Sequence, residues 1–160
     1  MNTESVEPRI DYKRVAPEAI KALSALERYA RGSKLEPALL ELVRLRASII
    51  NGCAYCVDIH SKDARVRGES EQRLYAVSVW REAPFFTPRE RAALAWTEAV
   101  TEVSVGHVPD EVYRLAREHF DERELVDLTM AIIAINSWNR LAIAFQAIAG
   151  AYEPAKQAAG

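Results

Sequence analysis

The stretch IINGCAYCVDIH, residues 49–60, contains both cysteines of the chain and one of its three histidines. An Asn-Gly pair at 51 and 52 interrupts the chain just before Cys53, and apolar residues recur at helical spacing on both sides of it. This pattern predicts two helices that fold back on each other, the second beginning near Cys53. Cys53 and Cys56 would then lie one turn apart, with His60 one turn further along the same face.

The rest of the chain repeats the helical pattern. Its few glycines and prolines lie at the joints, and no sustained alternation of apolar and polar residues indicates strands. We therefore predict a single all-α domain over residues 1–160, with about seven helices and the Cys-x-x-Cys pair at the start of the third. Five of the expected helices run from Pro17 to Gly32, from Pro37 to about Asn51, from near Cys53 to Gly68, from Ser70 to about Arg81 and from about Asp110 to His119. Two more begin at TPRE, residues 87–90, and at DERE, residues 121–124. Residues 151–160 are expected to form a frayed tail.

Composition and charge exclude several classes of function. The 160 residues include 21 basic and 23 acidic side chains, for a net charge of -2, and have no basic run. Neither nucleic acid nor an anionic membrane is therefore an expected partner. The N-terminal residues lack the pattern of a secretion signal, and polar residues interrupt the most apolar segment, Leu125 to Ala149. We expect a cytoplasmic protein with a small neutral partner, in which this segment forms a buried helix.

The spacing of the cysteines favours exchange chemistry over a structural role. A bridge between Cys53 and Cys56 closes so short a loop that it would stabilise the fold by about 2 kcal/mol at most. The reactive form of a cysteine is the thiolate, which needs a stabilising environment near neutral pH. A helix N-terminus would favour the anion at Cys53, whereas His60, four residues after Cys56, would favour Cys56. The residues alone leave the choice of attacking sulfur open.

Glu41 is the third candidate group. It lies in the apolar stretch PALLELVRL, residues 37–45, where burial would require a partner for the carboxylate. A hairpin about residues 51 and 52 would bring Glu41 level with His60, and the pairing would orient the imidazole. Arg44 and Arg46, in contrast, are expected to be solvated, and His107 and His119 to lie outside the site.

The spacing of these groups resembles a known signature. Glu41, eleven intervening residues, Cys53-Ala54-Tyr55-Cys56, three more residues and His60 are similar to the motif of the alkylhydroperoxidase D-like proteins of the carboxymuconolactone decarboxylase superfamily. The resemblance extends from VAPEAIKAL, residues 15–23, to AINSWNRLAIAF, residues 134–145. It implies an all-α fold, assembly into a homo-oligomer such as a trimer or hexamer, and reduction of a small peroxide without a cofactor or metal.

The resemblance also implies a role for each site residue. Cys56 would attack the peroxide and Cys53 would resolve the product to a disulfide, while Glu41 and His60 would relay protons. A dithiol or a lipoyl-type reductant would return the electrons. Tyr55 stands where alkylhydroperoxidase D has a histidine, which is a departure from that pattern. Tyr55 and Trp138 are candidates for the wall of the substrate pocket.

Two alternatives to a thiol-dependent peroxidase remain. A general thiol-disulfide oxidoreductase would use the same cysteine pair without a peroxide pocket. A non-catalytic helical oligomer could bind a partner or a metal there, since two cysteines, a histidine and a glutamate can make a tetrahedral set, although a second short-spaced pair of Cys or His ligands is absent from the sequence. Self-association is expected in either case, because the last helix is apolar nearly all round. Its apolar residues are Val126, Leu128, Ile132, Ile133, Ile135, Trp138, Leu141, Phe145 and Ile148.

Overall fold

The computed structural model describes residues 7–155, and the regular structure within that range is entirely helical. The α-helices are α1 (Tyr12–Val15), α2 (Pro17–Arg31), α3 (Pro37–Ile50), α4 (Ala54–Val66), α5 (Glu71–Ala76), α6 (Pro88–Thr101), α7 (Val103–Gly106), α8 (Asp110–His119) and α9 (Glu122–Ala144), with a 3₁₀-helix at Val77–Val79 after α5. The all-α prediction is confirmed. So is the position of the cysteine pair, since Cys53 caps the N-terminus of α4.

The helix boundaries follow local sequence signals. Pro17 and Pro37 occupy the first turns of α2 and α3, where a missing N–H costs nothing. Helices α6 and α9 both begin with a complete capping box, in which Thr87 and Asp121 each exchange hydrogen bonds with the glutamate three residues later. The seven expected helices are therefore present as α2, α3, α4, α5, α6, α8 and α9.

Three details differ from the sequence prediction. Helices α1 and α7 are additional, and each has four residues, too few to leave a hydrophobic period in the sequence. The helix expected from Ser70 to about Arg81 is shorter, because the α-helix gives way to the 3₁₀-helix at Val77–Val79, where β-branched and serine residues disfavour α-helix. Residues 151–155 have no regular structure, and the remainder of the expected tail, 156–160, lies outside the described residues.

Helix α3 lies at the centre of the packing and contacts α4, α6 and α9. Its buried side chains are Leu39, Leu40, Glu41, Leu42, Val43, Arg44, Leu45, Ala47 and Ser48. Helices α3 and α4 form the predicted hairpin about the turn at residues 51 and 52, where Gly52 has φ +67°. A left-handed backbone of this kind favours glycine, which explains the sharp return of the chain.

Helix α9 is only partly enclosed. Leu128, Ile132 and Ile135 are buried against the core, whereas Val126 is 56% exposed and Ile133 is 42% exposed. This exposure within residues 7–155 of one chain agrees with the expectation that self-association covers part of the helix, because α9 packs at the side of α3 rather than at the centre. The association itself stays a prediction. None of the helices in this range combines the length and apolarity that crossing a bilayer requires.

Candidate active site

The two cysteines meet at the N-terminus of α4. Cys53 and Cys56 are joined as a disulfide, with their Cα atoms 5.3 Å apart. The backbone N–H of Cys56 donates to Cys53 Sγ at 3.3 Å, and the N–H of Cys53 donates to the carbonyl of Ser48 at 2.9 Å. The first turn of α4 thus directs one backbone donor towards Cys53 Sγ, an arrangement that stabilises negative charge on this sulfur after reduction.

Glu41 and His60 are in direct contact across the hairpin. His60 Nδ1 lies 2.9 Å from Glu41 Oε2, and both side chains are buried. An ionised carboxylate can only accept a hydrogen bond, so Nδ1 carries the proton and Nε2 of the neutral ring has a free lone pair. The carboxylate therefore orients an imidazole whose second nitrogen can take up a proton.

The other oxygen of Glu41 faces a group of arginines. Its Oε1 lies 3.0 Å from Arg44 Nη1, 3.5 Å from Arg31 Nη1 and 3.7 Å from Arg67 Nε. Arg44 also pairs with Glu27, with Nη2 and Oε1 2.9 Å apart. The buried carboxylate is therefore compensated by several positive charges as well as by the imidazole.

The expectation that Arg44 and Arg46 are solvated is wrong. Arg44 is 1% exposed, and Arg46 is largely covered and paired with Glu98. Both lie on α3, which neighbouring helices surround on most sides. The sequence does contain a signal for Arg44, because it follows Glu41 by three residues and so lies on the same helix face.

These contacts set the charge state of the site. Burial alone would raise the pKa of the Glu41 carboxyl, but its hydrogen bond with His60 and the charges of Arg44 and Arg31 outweigh burial and bring the pKa below its usual value. Burial lowers the pKa of the Arg44 guanidinium against the opposing effect of Glu27 and Glu41. An arginine remains charged at any physiological pH, so both members of the pair are ionised.

A cavity of about 210 Å³, which we call the substrate cavity, opens beside Cys56 and His60. Its other lining residues are Tyr12, Lys13, Glu27, Arg31, Tyr55, Ile59 and Trp138. Tyr55 and Trp138 thus both line a cavity next to the cysteine pair. Lys13 Nζ donates to the Tyr55 hydroxyl at 3.4 Å, and the short helix α1 thereby contributes to the wall of the cavity. Sequence reasoning missed Tyr12 and Lys13, since nothing local to α1 indicates this contact.

The remaining candidates stay apart from the cavity. His107 and His119 are not among its lining residues. Among residues 7–155, the group that could hold a metal ion consists of Glu41, His60 and Asp63, with ligand atoms within 4.8 Å of one another, and it includes neither cysteine. A cation there would also face the guanidinium groups that already pair with Glu41, and their repulsion disfavours it.

The sequence between residues 17 and 99 matches the model of the carboxymuconolactone decarboxylase family. The chain belongs to this family. The uncharacterised protein YdfG of Bacillus subtilis is 45% identical over 136 residues, which are 85% of this chain and 92% of YdfG.

Solved structures agree with the family assignment. A protein of unknown function from Agrobacterium tumefaciens, proposed to be the antioxidant defence protein AhpD, is 47% identical, with a TM-score of 0.89 over 91% of this chain and 100% of that one. The debrominase Bmp8 is 21% identical, with a TM-score of 0.77 over 86% of this chain and 74% of its own, a similarity of fold alone. The protein is therefore an alkylhydroperoxidase D-like member of the carboxymuconolactone decarboxylase superfamily, as the motif indicated.

Proposed function

We propose that this protein is a thiol-dependent peroxidase that reduces a small organic hydroperoxide at Cys56. The observation that carries the proposal is the position of Cys56 and His60 in the wall of one cavity, with Cys53 bonded to the sulfur of Cys56. An attacking thiol and a base are thereby within reach of one small molecule, and the resolving thiol is within reach of the attacking sulfur. The family assignment supports the same chemistry.

The reaction begins with the reduced pair. His60 Nε2 takes the proton of Cys56, and the positive charge that develops on the ring is stabilised by Glu41. The Cys56 thiolate attacks the terminal oxygen of the hydroperoxide, so that an S–O bond forms and the O–O bond breaks. The alkoxide leaves with a proton from His60, which gives an alcohol and a sulfenic acid on Cys56.

The second step closes the disulfide. The Cys53 thiolate attacks the sulfur of Cys56, the S–O bond breaks, and hydroxide leaves as water after protonation. The two thiols have then supplied both electrons that reduce one hydroperoxide to one alcohol and one water. The Cα separation of 5.3 Å is compatible with this closure.

Access favours Cys56 as the attacking sulfur. Cys56 lines the substrate cavity with His60, whereas Cys53 does not line it. The helix N-terminus favours a thiolate at Cys53, whose Sγ accepts from the Cys56 N–H, so the proposal for Cys56 rests on its place beside His60 in the wall of the cavity. The roles implied by the family resemblance are therefore proposed for these two residues.

Thiol counting tests the proposal. The reduced protein is freed of reductant without oxygen, given limiting cumene hydroperoxide, and assayed for thiols and for alcohol. We expect two thiols to be lost and one alcohol to form per hydroperoxide consumed, and a dithiol to restore both thiols. His60→Gln should slow the reaction, whereas His119→Gln, whose side chain lies away from the cavity, should not. A reaction no faster than that of free cysteine would refute the peroxidase and leave the general thiol-disulfide oxidoreductase and the non-catalytic oligomer.

A further inference from the structure

The wall of the substrate cavity is largely apolar, but its charged side chains do not balance. Those that line it are Lys13, Glu27 and Arg31. Glu27 Oε1 lies 2.8 Å from Arg31 Nε and 2.9 Å from Arg44 Nη2, so the charge of this carboxylate is already compensated. The lining therefore has a positive charge in excess, and Lys13 carries it.

The packing of α1 holds Lys13 beside the cavity. The backbone N–H of Arg9 donates to the carbonyl of Phe145 at 2.9 Å, and the rings of Tyr12 and Phe145 pack with their centroids 5.8 Å apart. The acidic residue nearest to Lys13 in sequence is Asp11, which caps α1 by accepting from a backbone N–H at 3.2 Å. The backbone of Lys13 is thus fixed at the end of α9, and the neighbouring carboxylate serves the cap.

Within residues 7–155, the ammonium group of Lys13 contacts Tyr55 rather than a carboxylate. Its Nζ donates to the Tyr55 hydroxyl at 3.4 Å and lies 5.9 Å from the centroid of the ring. An ammonium group has three N–H donors, and this long hydrogen bond uses one of them. A carboxylate inside the cavity would accept charge-assisted hydrogen bonds from the others and compensate the excess charge.

The positions of Lys13 and Cys56 restrict the shape of a ligand that reaches both. Lys13 contacts the hydroxyl end of the Tyr55 side chain, whereas Cys56 follows Tyr55 in the backbone. Lys13 and Cys56 line one cavity of about 210 Å³. This volume is below the roughly 300–1,000 Å³ of sites for drug-sized ligands. A molecule that spans the cavity is therefore a short chain with its reacting group at one end and its acid group at the other.

We propose that Lys13 determines substrate specificity by binding the carboxylate of a short-chain hydroperoxy acid, whose hydroperoxide group reaches Cys56. This inference rests on the proposed peroxidase function. The carboxylate takes no part in the bond changes: the O–O bond breaks at Cys56, the two thiols supply both electrons, and the product leaves as the corresponding hydroxy acid. The near balance of charge over the whole chain predicted a neutral partner, but the lining of the cavity favours an anion.

Two hydroperoxides of the same shape test the proposal. ω-Hydroperoxyhexanoate carries the acid group, and ω-hydroperoxyhexanamide carries an uncharged group of nearly the same size in its place. The reduced full chain is mixed with each in the absence of oxygen, well below saturation, and the loss of hydroperoxide is followed by stopped flow. Relative to free cysteine, the wild type should prefer the acid about fivefold or more, as a partly exposed ion pair allows.

Substitutions of Lys13 distinguish this specificity from a structural effect, because each variant is judged by the ratio of its two rates. The ratio should fall to about one in Lys13→Met, which keeps most of the apolar stem without the charge, and should return in Lys13→Arg. The matched control is Lys34→Met, since Lys34 is exposed, does not line the cavity and changes the net charge equally. Its ratio should equal that of the wild type. Added salt should lower the wild-type ratio, because salt screens an exposed pair.

Three results would overturn the inference. A wild type whose ratio equals that of free cysteine would show that the cavity does not select an acid. A wild-type ratio in Lys13→Met would assign the selection to another group, and an equal loss in Lys34→Met would assign it to the overall charge. A wild type that consumes neither of these substrates nor cumene hydroperoxide faster than free cysteine does would instead refute the proposed peroxidase function.

Discussion

Replacing Arg44 by methionine should destabilise the fold strongly, because two acidic side chains depend on this guanidinium. Arg44 is 1% exposed and lies 3.0 Å from the fully buried Glu41 and 2.9 Å from Glu27. Methionine keeps most of the apolar stem and its packing. The substitution therefore tests the charge interaction more than the loss of volume.

The expected loss can be worked out from the environment of Glu41. Breaking a buried ion pair by removal of one partner costs about 3–5 kcal/mol. Arg31 at 3.5 Å and Arg67 at 3.7 Å would compensate part of the remaining charge, so we expect a value near the lower end, about 3 kcal/mol. That is a large share of the roughly 5–15 kcal/mol by which domains are stable.

Urea unfolding of the oxidised protein measures this loss. The matched control is Arg123→Met, since Arg123 pairs with Asp127 at 3.2 Å but is 73% exposed at its side chain, a setting where a pair contributes about 0–1 kcal/mol. The difference in the free energy of unfolding between wild type and Arg44→Met should decrease as the pH falls from about 7 to 4, because protonation of Glu41 removes the uncompensated charge in the variant. A loss as small as that of Arg123→Met, or one that does not change with pH, would show that Glu41 is not a compensated carboxylate.

Three further predictions concern the site and the surface. Glu41→Gln should lower the rate of the peroxide step by about 100-fold or more. The variant should keep the fold, because Arg44 remains paired with Glu27. Stopped-flow rates that equal those of the wild type between pH 6 and 8 would show that the carboxylate takes no part in the reaction. The free energy of unfolding should fall as the pH drops through the acid range, because Glu41, whose pKa is lowered in the folded state, contributes stability only while it is ionised. An equally steep fall in the Glu41→Gln variant would show that other groups cause the pH dependence. We propose a homo-oligomer formed through the exposed apolar face of α9. Val126→Glu or Ile133→Glu should therefore reduce the sedimentation coefficient, whereas the control Val15→Glu on α1 should not. A wild-type protein that sediments only as a 17.9 kDa species would contradict this proposal.

The sequence predicts best what local signals encode. The turn at residues 51 and 52 implies a hairpin, and the hairpin alone is enough to place Glu41 beside His60, as the structure does. The same reasoning did not predict the burial of Arg44, because charged residues at helical spacing usually mark a solvated helix face. The helices that pack around α3 bury this side chain instead. Local sequence reports the types of these side chains but not which helices will cover them.

Long-range packing determines the rest of the site. Helix α1 is too short to be recognised by its period, so the approach of Lys13 to Tyr55 could not be foreseen. The spacing of the two cysteines does not indicate which sulfur a small molecule can reach. The chain at the end of α9, about ninety residues after Cys53, forms one side of the cavity beside Cys53. The different surroundings of the two sulfurs are therefore a property of the tertiary structure.

Trapping the sulfenic acid identifies the sulfur that attacks the peroxide. Reduced Cys53→Ser and Cys56→Ser proteins are each given one equivalent of cumene hydroperoxide in the presence of dimedone, and the adducts are located by mass spectrometry. We expect Cys53→Ser to form one alcohol and one adduct, on Cys56, because the attacking thiolate and His60 remain while the resolving thiol is absent. Cys56→Ser should consume hydroperoxide no faster than free cysteine. An adduct on Cys53 in the Cys56→Ser protein, formed as fast as the wild-type reaction, would contradict the assignment and reverse the two roles.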